Sequence, residues 1–252
     1  MSPIDFRVEN GVARITLNDD ANRNAVNLRF VQEFARITRL AVTDPSVRVI
    51  LLAANGRFFS VGGDLNEFLS EEERVRDHVH SLTDLFHVGI RHLHRAPAPV
   101  IVALNGMAAG GGFSVVLTGD MVIAKRSAKL NSGYTRSGLT PDGGATWVLP
   151  RLVGHQRAFE IMAFNETLSA EAAQQIGLVT RVVDDEDFDG EIERVVAHCA
   201  SMPKDVLGTL KRLMTQGRSI SLEAHLDIEG ETIAKRAETP ETLAVLKAFL
   251  KK

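Results

Sequence analysis

Apolar and polar residues alternate most regularly near the N-terminus. Ile4 to Asn18, "IDFRVENGVARITLN", alternates with period two on both sides of "ENG", which predicts a β-hairpin. The period then changes: Leu28, Val31, Phe34, Ile37 and Leu40 recur at three-residue intervals, the stripe of an amphipathic helix. "VRVILLAA", "APVIVALNG" and "MVIAK" are short, nearly continuous apolar runs and read as buried strands. Between them, "NGRFFSVGGDL" reads as a glycine-rich loop and residues 71–94 as one long helix with a charged start. "MAAGGGFSVVLTGD" reads as a glycine-rich turn opening a short helix, and Ser127 to Gly138 as irregular. Beyond Trp147 the pattern is mostly helical. In "LSAEAAQQIG", Ser169 is placed to cap a helix, Glu171 falls in its first turn and Gly177 stops it. "LVTRVVDD" returns to strand, and from Asp187 onward three or four amphipathic helices follow, with Pro203 and Pro240 at helix starts. The shift near residue 185 divides the chain into a mixed α/β core, 1–185, and a helical C-terminal module, 186–252.

Composition narrows the partners more than the fold. A formal charge of −3 without any Lys/Arg block argues against nucleic acid and anionic membrane as partners, while leaving anionic small molecules open. A single cysteine, Cys199, permits neither a disulfide framework nor a Cys metal site, and reads as a small buried apolar residue. The polar N-terminus lacks a basic stretch followed by an apolar run, and the longest apolar runs have strand length, so the expectation is a cytoplasmic protein without membrane spans.

The chemistry centres on glycine. Twice a strand runs into glycines and then a helix start, at Phe58–Leu65 and at Asn105–Val115. In parallel α/β sheets ligands gather beyond the carboxyl ends of strands, and glycine lets backbone N–H groups approach them closely. Two such loops can offer two N–H donors to one oxygen, the arrangement of an oxyanion hole; each could instead be only a tight turn. "GMAAGGG" does not match G-x-G-x-x-G, and "GGGFS" lacks the G-x-S-x-G elbow of a serine hydrolase built on Ser114. "SGLTPDGGATW" adds a carboxylate, Asp142, on Pro-Asp-Gly turn chemistry, where it reads either as a turn former or as a base.

Taken together, "ITLNDDANRNAVN", "RFFSVGGDL", "VIVALNGMAAGGG", "GDMVIAKRSAKL", "GLTPDGGATWVLPRLVG" and "LSAEAAQQIGLVTRVV" resemble the crotonase, or enoyl-CoA hydratase/isomerase, superfamily over nearly the whole chain. The resemblance implies a crotonase-like spiral of ββα units with a C-terminal helical trimerisation module, and a homotrimer or dimer of trimers. It implies an acyl-CoA thioester substrate, with coenzyme A as part of that substrate and no cofactor bound permanently. It assigns the thioester-oxygen donors to the backbone N–H groups of Gly63 and Gly111. It places Arg23, Asn24, Ala25, Ser60, Val61, Gly62, Asp64, Leu65 and Tyr134 along the bound substrate, with Arg23 as a phosphate partner.

Where hydratases of the family carry two glutamates, this chain has Ser114 and Tyr134, neither a good base near neutral pH. Asp142 matches the position at which some family isomerases carry their acting Asp and a dehalogenase branch its nucleophile. A lone carboxylate suits moving a proton between two carbons, so the reading is an enoyl-CoA isomerase with Asp142 as base. A hydratase, a hydrolase or dehalogenase using Asp142 as nucleophile, and a CoA-thioester-binding protein without catalysis are the alternatives. Trp147, Leu139 and Phe113 are expected as apolar walls around Asp142. Asp64 and Asp120, each following glycine, read as caps or backbone braces. His80, His87 and His94 share one helix face; a solvated or interface face is preferred to metal ligation, with a lid role beside the acyl pocket as a further option.

Overall fold

The computed structural model describes residues 2–250. Strands β1 (Ile4–Glu9) and β2 (Val12–Leu17) form the predicted hairpin, in antiparallel register Ile4↔Leu17 to Glu9↔Val12. Helix α1 (Leu28–Thr43) follows, capped by the Asn27 side chain, which accepts from the Phe30 N–H at 2.9 Å. Its apolar stripe buries Phe30, Val31, Phe34 and Ile37.

Three strand pairs then build a spiral. β3 (Val49–Ala54) is followed by β4 (Phe58–Ser60), α2 (Leu65–Ser70) and α3 (Val75–His94). β5 (Val100–Leu104) is followed by β6 (Met107–Ala109) and α4 (Gly111–Val116). β7 (Met121–Lys125) is followed by β8 (Lys129–Asn131), α5 (Ala145–Val153) and α6 (His155–Phe164). The first strand of each pair joins a large sheet of order β1-β2-β3-β5-β7-β10, parallel except for the hairpin. The second joins a small sheet of order β4-β6-β8-β9. The chain closes this part with β9 (Leu168–Ser169), α7 (Ala170–Gln175) and β10 (Arg181–Val183). Ser169 caps α7 by accepting from Ala172 N–H at 3.1 Å, as its position predicts.

Four helices follow: α8 (Phe188–Ser201), α9 (Val206–Gln216), α10 (Leu222–Ala237) and α11 (Pro240–Phe249). α8 packs Phe188, Ile192, Val195 and Val196 against Val49, Ile101 and Ile123 of the large sheet, and Cys199 is buried there. α9 is tied to the core by Lys211, whose buried Nζ donates to Leu93 O and Asp120 Oδ2, both at 2.7 Å. Asp120 also accepts from Val100 N–H at 2.8 Å, so it is the brace expected of it. No residue of α10 or α11 is buried, and Leu226, Ile233 and Phe249 lie largely open.

Three expectations need correction. The helix read over 71–94 begins at Val75, because Glu71 to Arg74 offers no apolar residue to a buried stripe and forms a tight 3-10 turn instead. The segments read as loops or turns hold β4, β6 and β8, whose three-residue length is too short to show a period. Pro203 lies three positions ahead of α9 rather than at its start, whereas Pro240 opens α11 behind the Thr239 cap.

Candidate active site

β4 and β6 are neighbouring parallel strands, so their carboxyl ends lie side by side and the two glycine loops meet. Gly62 makes the closest approach. At φ +86° it occupies the left-handed region, and a Cβ there would fall 2.7 Å from Ala109 O and 3.0 Å from Gly111 N. Gly62 O accepts from Val26 N–H at 2.8 Å and Asp64 N–H donates to Val26 O at 3.1 Å. That parallel bridge leaves the intervening Gly63 N–H turned away from Val26. Gly111 is the first residue of α4, so its N–H has no partner within the helix. Both glycines line one cleft of about 300 Å³, walled by Val26, Phe68, Leu82, Phe86, Tyr134 and Leu139 among others. Two amide donors therefore stand on the wall of one largely apolar cleft.

Asp142 lines the same cleft. Its turn is made by backbone: Ala145 N–H donates to Asp142 O at 3.1 Å, and Gly143 and Gly144 both take positive φ. The carboxylate has another task. Asp142 Oδ1 accepts from the Tyr134 hydroxyl at 2.6 Å, and Oδ2 lies 3.6 Å from His87 Nε2, beyond direct hydrogen-bond reach. Ser114, on α4, donates to Asp142 O at 2.9 Å and contacts the Tyr134 hydroxyl at 2.8 Å. Ser114 and Tyr134 thus both bond to Asp142, Ser114 at its backbone oxygen and Tyr134 at its carboxylate. Burial, then the neighbouring Asp142 charge, pushes the Tyr134 phenol well above its ordinary value, so it stays protonated as a donor. Gly143 fixes the turn against this group: at φ +58°, a Cβ would fall 2.7 Å from both Phe86 and Ser114 side-chain carbons. Its N–H donates to His87 Nε2 at 3.2 Å, which puts the neutral imidazole's own hydrogen on Nδ1.

The remaining predicted residues divide between lining and bracing. Val61, Gly63, Leu65 and Tyr134 line the cleft. Ser60 is fully buried, donates to Asn24 O at 2.7 Å and accepts from Gly62 N–H at 3.2 Å, so it shapes the first loop. Buried Asn24 donates to Asn55 O and Phe58 O and accepts from Asp19 N–H, and its side chain is spent on that loop. Ala25 is buried beside it. Asp64 caps α2 by accepting from Asn66 and Glu67 N–H. Arg23 is exposed, with its guanidinium 5.8 Å from the Phe58 ring centroid, and Arg57 approaches the same ring at 5.5 Å. Of the expected apolar walls only Leu139 lines the cleft. Phe113 is wholly inside the core, and Trp147 is exposed, with the Arg151 guanidinium 4.1 Å and that of Arg218 5.7 Å from its ring centroid. The walls come instead from α2 and α3, through Phe68, Leu82 and Phe86. His87, which the sequence places on a helix face with a lid beside the acyl pocket as a further option, lies one turn beyond the cleft residue Thr83 and faces Asp142.

Two glycine loops and a single carboxylate, Asp142, thus line one largely apolar cleft, the kind of concave site in which an enzyme binds a small molecule. Residues 7–252 match the enoyl-CoA hydratase/isomerase family, and the chain belongs to it: it is an enzyme of that family, whose members act on CoA thioesters, with the crotonase fold. It is 34% identical to the 1,2-epoxyphenylacetyl-CoA isomerase of Escherichia coli K12, covering 97% of this chain and 94% of the other. It is 28% identical to 4-chlorobenzoyl coenzyme A dehalogenase-2 of an Arthrobacter species, over 96% and 88% of the two chains. The crystal structure of an enoyl-CoA hydratase from Mycobacterium smegmatis superposes with a TM-score of 0.92 at 30% identity, over 99% of this chain and 96% of that one.

Proposed function

We propose that the protein is an enoyl-CoA isomerase in which Asp142 shifts a double bond by moving one proton. The observation that carries this reading is the lone carboxylate on a cleft whose two glutamate positions hold Ser114 and Tyr134. The thioester oxygen lies between the Gly63 and Gly111 N–H groups. Asp142 takes a proton from one carbon of the acyl chain, the electron pair passes to the thioester oxygen as a dienolate, and the carboxylic acid returns the proton to another carbon. Phe68, Leu82, Phe86 and Leu139 hold the acyl chain out of water, and Arg23 meets the phosphates of coenzyme A at the rim. Hydration needs a second group to position water, which neither Ser114 nor Tyr134 supplies as a base.

A second reading is favoured by one specific observation, His87 Nε2 at 3.6 Å from Asp142 Oδ2. Once that carboxylate carries an acyl or aryl group, a histidine beside it can activate water to attack the Asp142 carboxyl carbon, so the product leaves with the original carboxylate oxygen, the chemistry of a hydrolase or dehalogenase. Single turnover in oxygen-18 water separates the two. The isomerase reading predicts conversion of a 3-enoyl-CoA to its 2-enoyl isomer with no label in Asp142 by peptide mass analysis; labelled Asp142 would establish the nucleophile instead.

The open apolar residues of α10 and α11 support a trimer or a dimer of trimers built through the 186–252 module. Sedimentation equilibrium is expected to give three or six times the chain mass, and a monomer at micromolar concentration would contradict this.

A further inference from the structure

Three oxygen contacts form a closed path at the site: Asp142 Oδ1 to Tyr134 Oη at 2.6 Å, Tyr134 Oη to Ser114 Oγ at 2.8 Å, and Ser114 Oγ to the Asp142 backbone oxygen at 2.9 Å. Each contact needs one hydrogen. Tyr134 and Ser114 carry one each, and the backbone oxygen carries none. With Asp142 ionised, two hydrogens serve three contacts. Tyr134 must donate to the carboxylate, so Ser114 can satisfy either the backbone oxygen or the Tyr134 oxygen. With Asp142 protonated on Oδ1, three hydrogens serve three contacts in one continuous direction: Oδ1–H to Tyr134 Oη, Tyr134 O–H to Ser114 Oγ, Ser114 O–H to Asp142 O. Ser114 is fully buried, so no water completes the shorter count cheaply.

We infer that Ser114 is a positioning residue that favours the protonated state of Asp142, completing the chain around the carboxylic acid, while the Tyr134 hydroxyl serves both states about equally. This rests on Asp142 as the proton carrier and says how the acid form is kept in place between taking the proton and returning it. Loss of Ser114 removes one bond from the ionised site and two from the protonated one. Loss of the Tyr134 hydroxyl removes one charge-assisted bond from the ionised site and two neutral bonds from the protonated one, and charge-assisted bonds are roughly twice as strong, so these losses nearly cancel. The two ionisable side chains that face the carboxyl are Tyr134 itself and His87 from α3, and neither substitution below touches His87.

The test is carboxyl carbon-13 NMR titration of Asp-labelled full-length protein in its native assembly, with Asp142→Asn used to assign the resonance. It needs no substrate, so its outcome is independent of whether Asp142→Asn abolishes turnover. Ser114→Ala is expected to lower the Asp142 midpoint by about 0.5–1 pH unit, and Tyr134→Phe to move it much less. Both changes only delete a hydroxyl oxygen, which keeps the fold. A lowered midpoint in Ser114→Ala beside a nearly unmoved one in Tyr134→Phe supports the inference. A midpoint unmoved or raised in Ser114→Ala, or moved as far in Tyr134→Phe, overturns it and leaves the isomerase reading to its own test.

Discussion

Asp142→Asn is expected to reduce kcat for 3-enoyl-CoA isomerisation by about 10²–10⁴-fold with little change in KM, the usual contribution of a positioned general base. The substitution separates chemistry from shape. An asparagine Oδ1 can still accept from the Tyr134 hydroxyl, and the turn survives because it is made by Asp142 O, Ala145 N–H and the two glycines. The two amide donors and the apolar walls lie on other elements, so substrate binding is kept while the proton carrier is lost. Steady-state kinetics on matched preparations check this; a variant retaining full isomerase activity would remove Asp142 from the reaction.

Gly62→Ala is the second large effect, and it acts without touching the reacting groups. At φ +86° any side chain is strained, at a cost of about 1–3 kcal/mol. The added Cβ also meets Ala109 O at 2.7 Å and Gly111 N at 3.0 Å, both backbone atoms of the facing loop. The loops must part, and the Gly63 and Gly111 N–H groups part with them. Loss of one such donor typically costs about 10²–10³-fold in kcat, so activity should fall by at least that factor alongside a lower melting temperature. Normal activity at a lowered melting temperature would show that the contact between the loops serves the fold and not the donors.

Much of this site is legible in the sequence because it rests on backbone. Glycines after buried strands, and a Pro-Asp-Gly-Gly turn, state where N–H groups can approach a ligand and where a carboxylate can stand. The helix stripe of α1, the Ser169 cap and the buried Cys199 follow equally directly from local pattern. What escaped depends on the third dimension. β4, β6 and β8 are three residues long and exist as strands because they pair with one another, a long-range fact. Phe68, Leu82 and Phe86 wall the cleft because α2 and α3 fold across it, whereas Phe113 and Trp147, nearer to the site motifs in sequence, point into the core or out to solvent. The approach of His87 to Asp142 joins residues 55 positions apart, and that of Ser114 to Tyr134 joins residues 20 apart. Spacing along the chain carries no trace of either.

The most direct test of the account is a crystal structure with a bound, unreactive acyl-CoA thioester. The account predicts the thioester oxygen within hydrogen-bond distance of both Gly63 N and Gly111 N, with the Asp142 carboxyl facing the acyl carbons between which the proton moves. A thioester oxygen bound elsewhere, or an acyl chain whose carbons lie out of reach of Asp142, would contradict it.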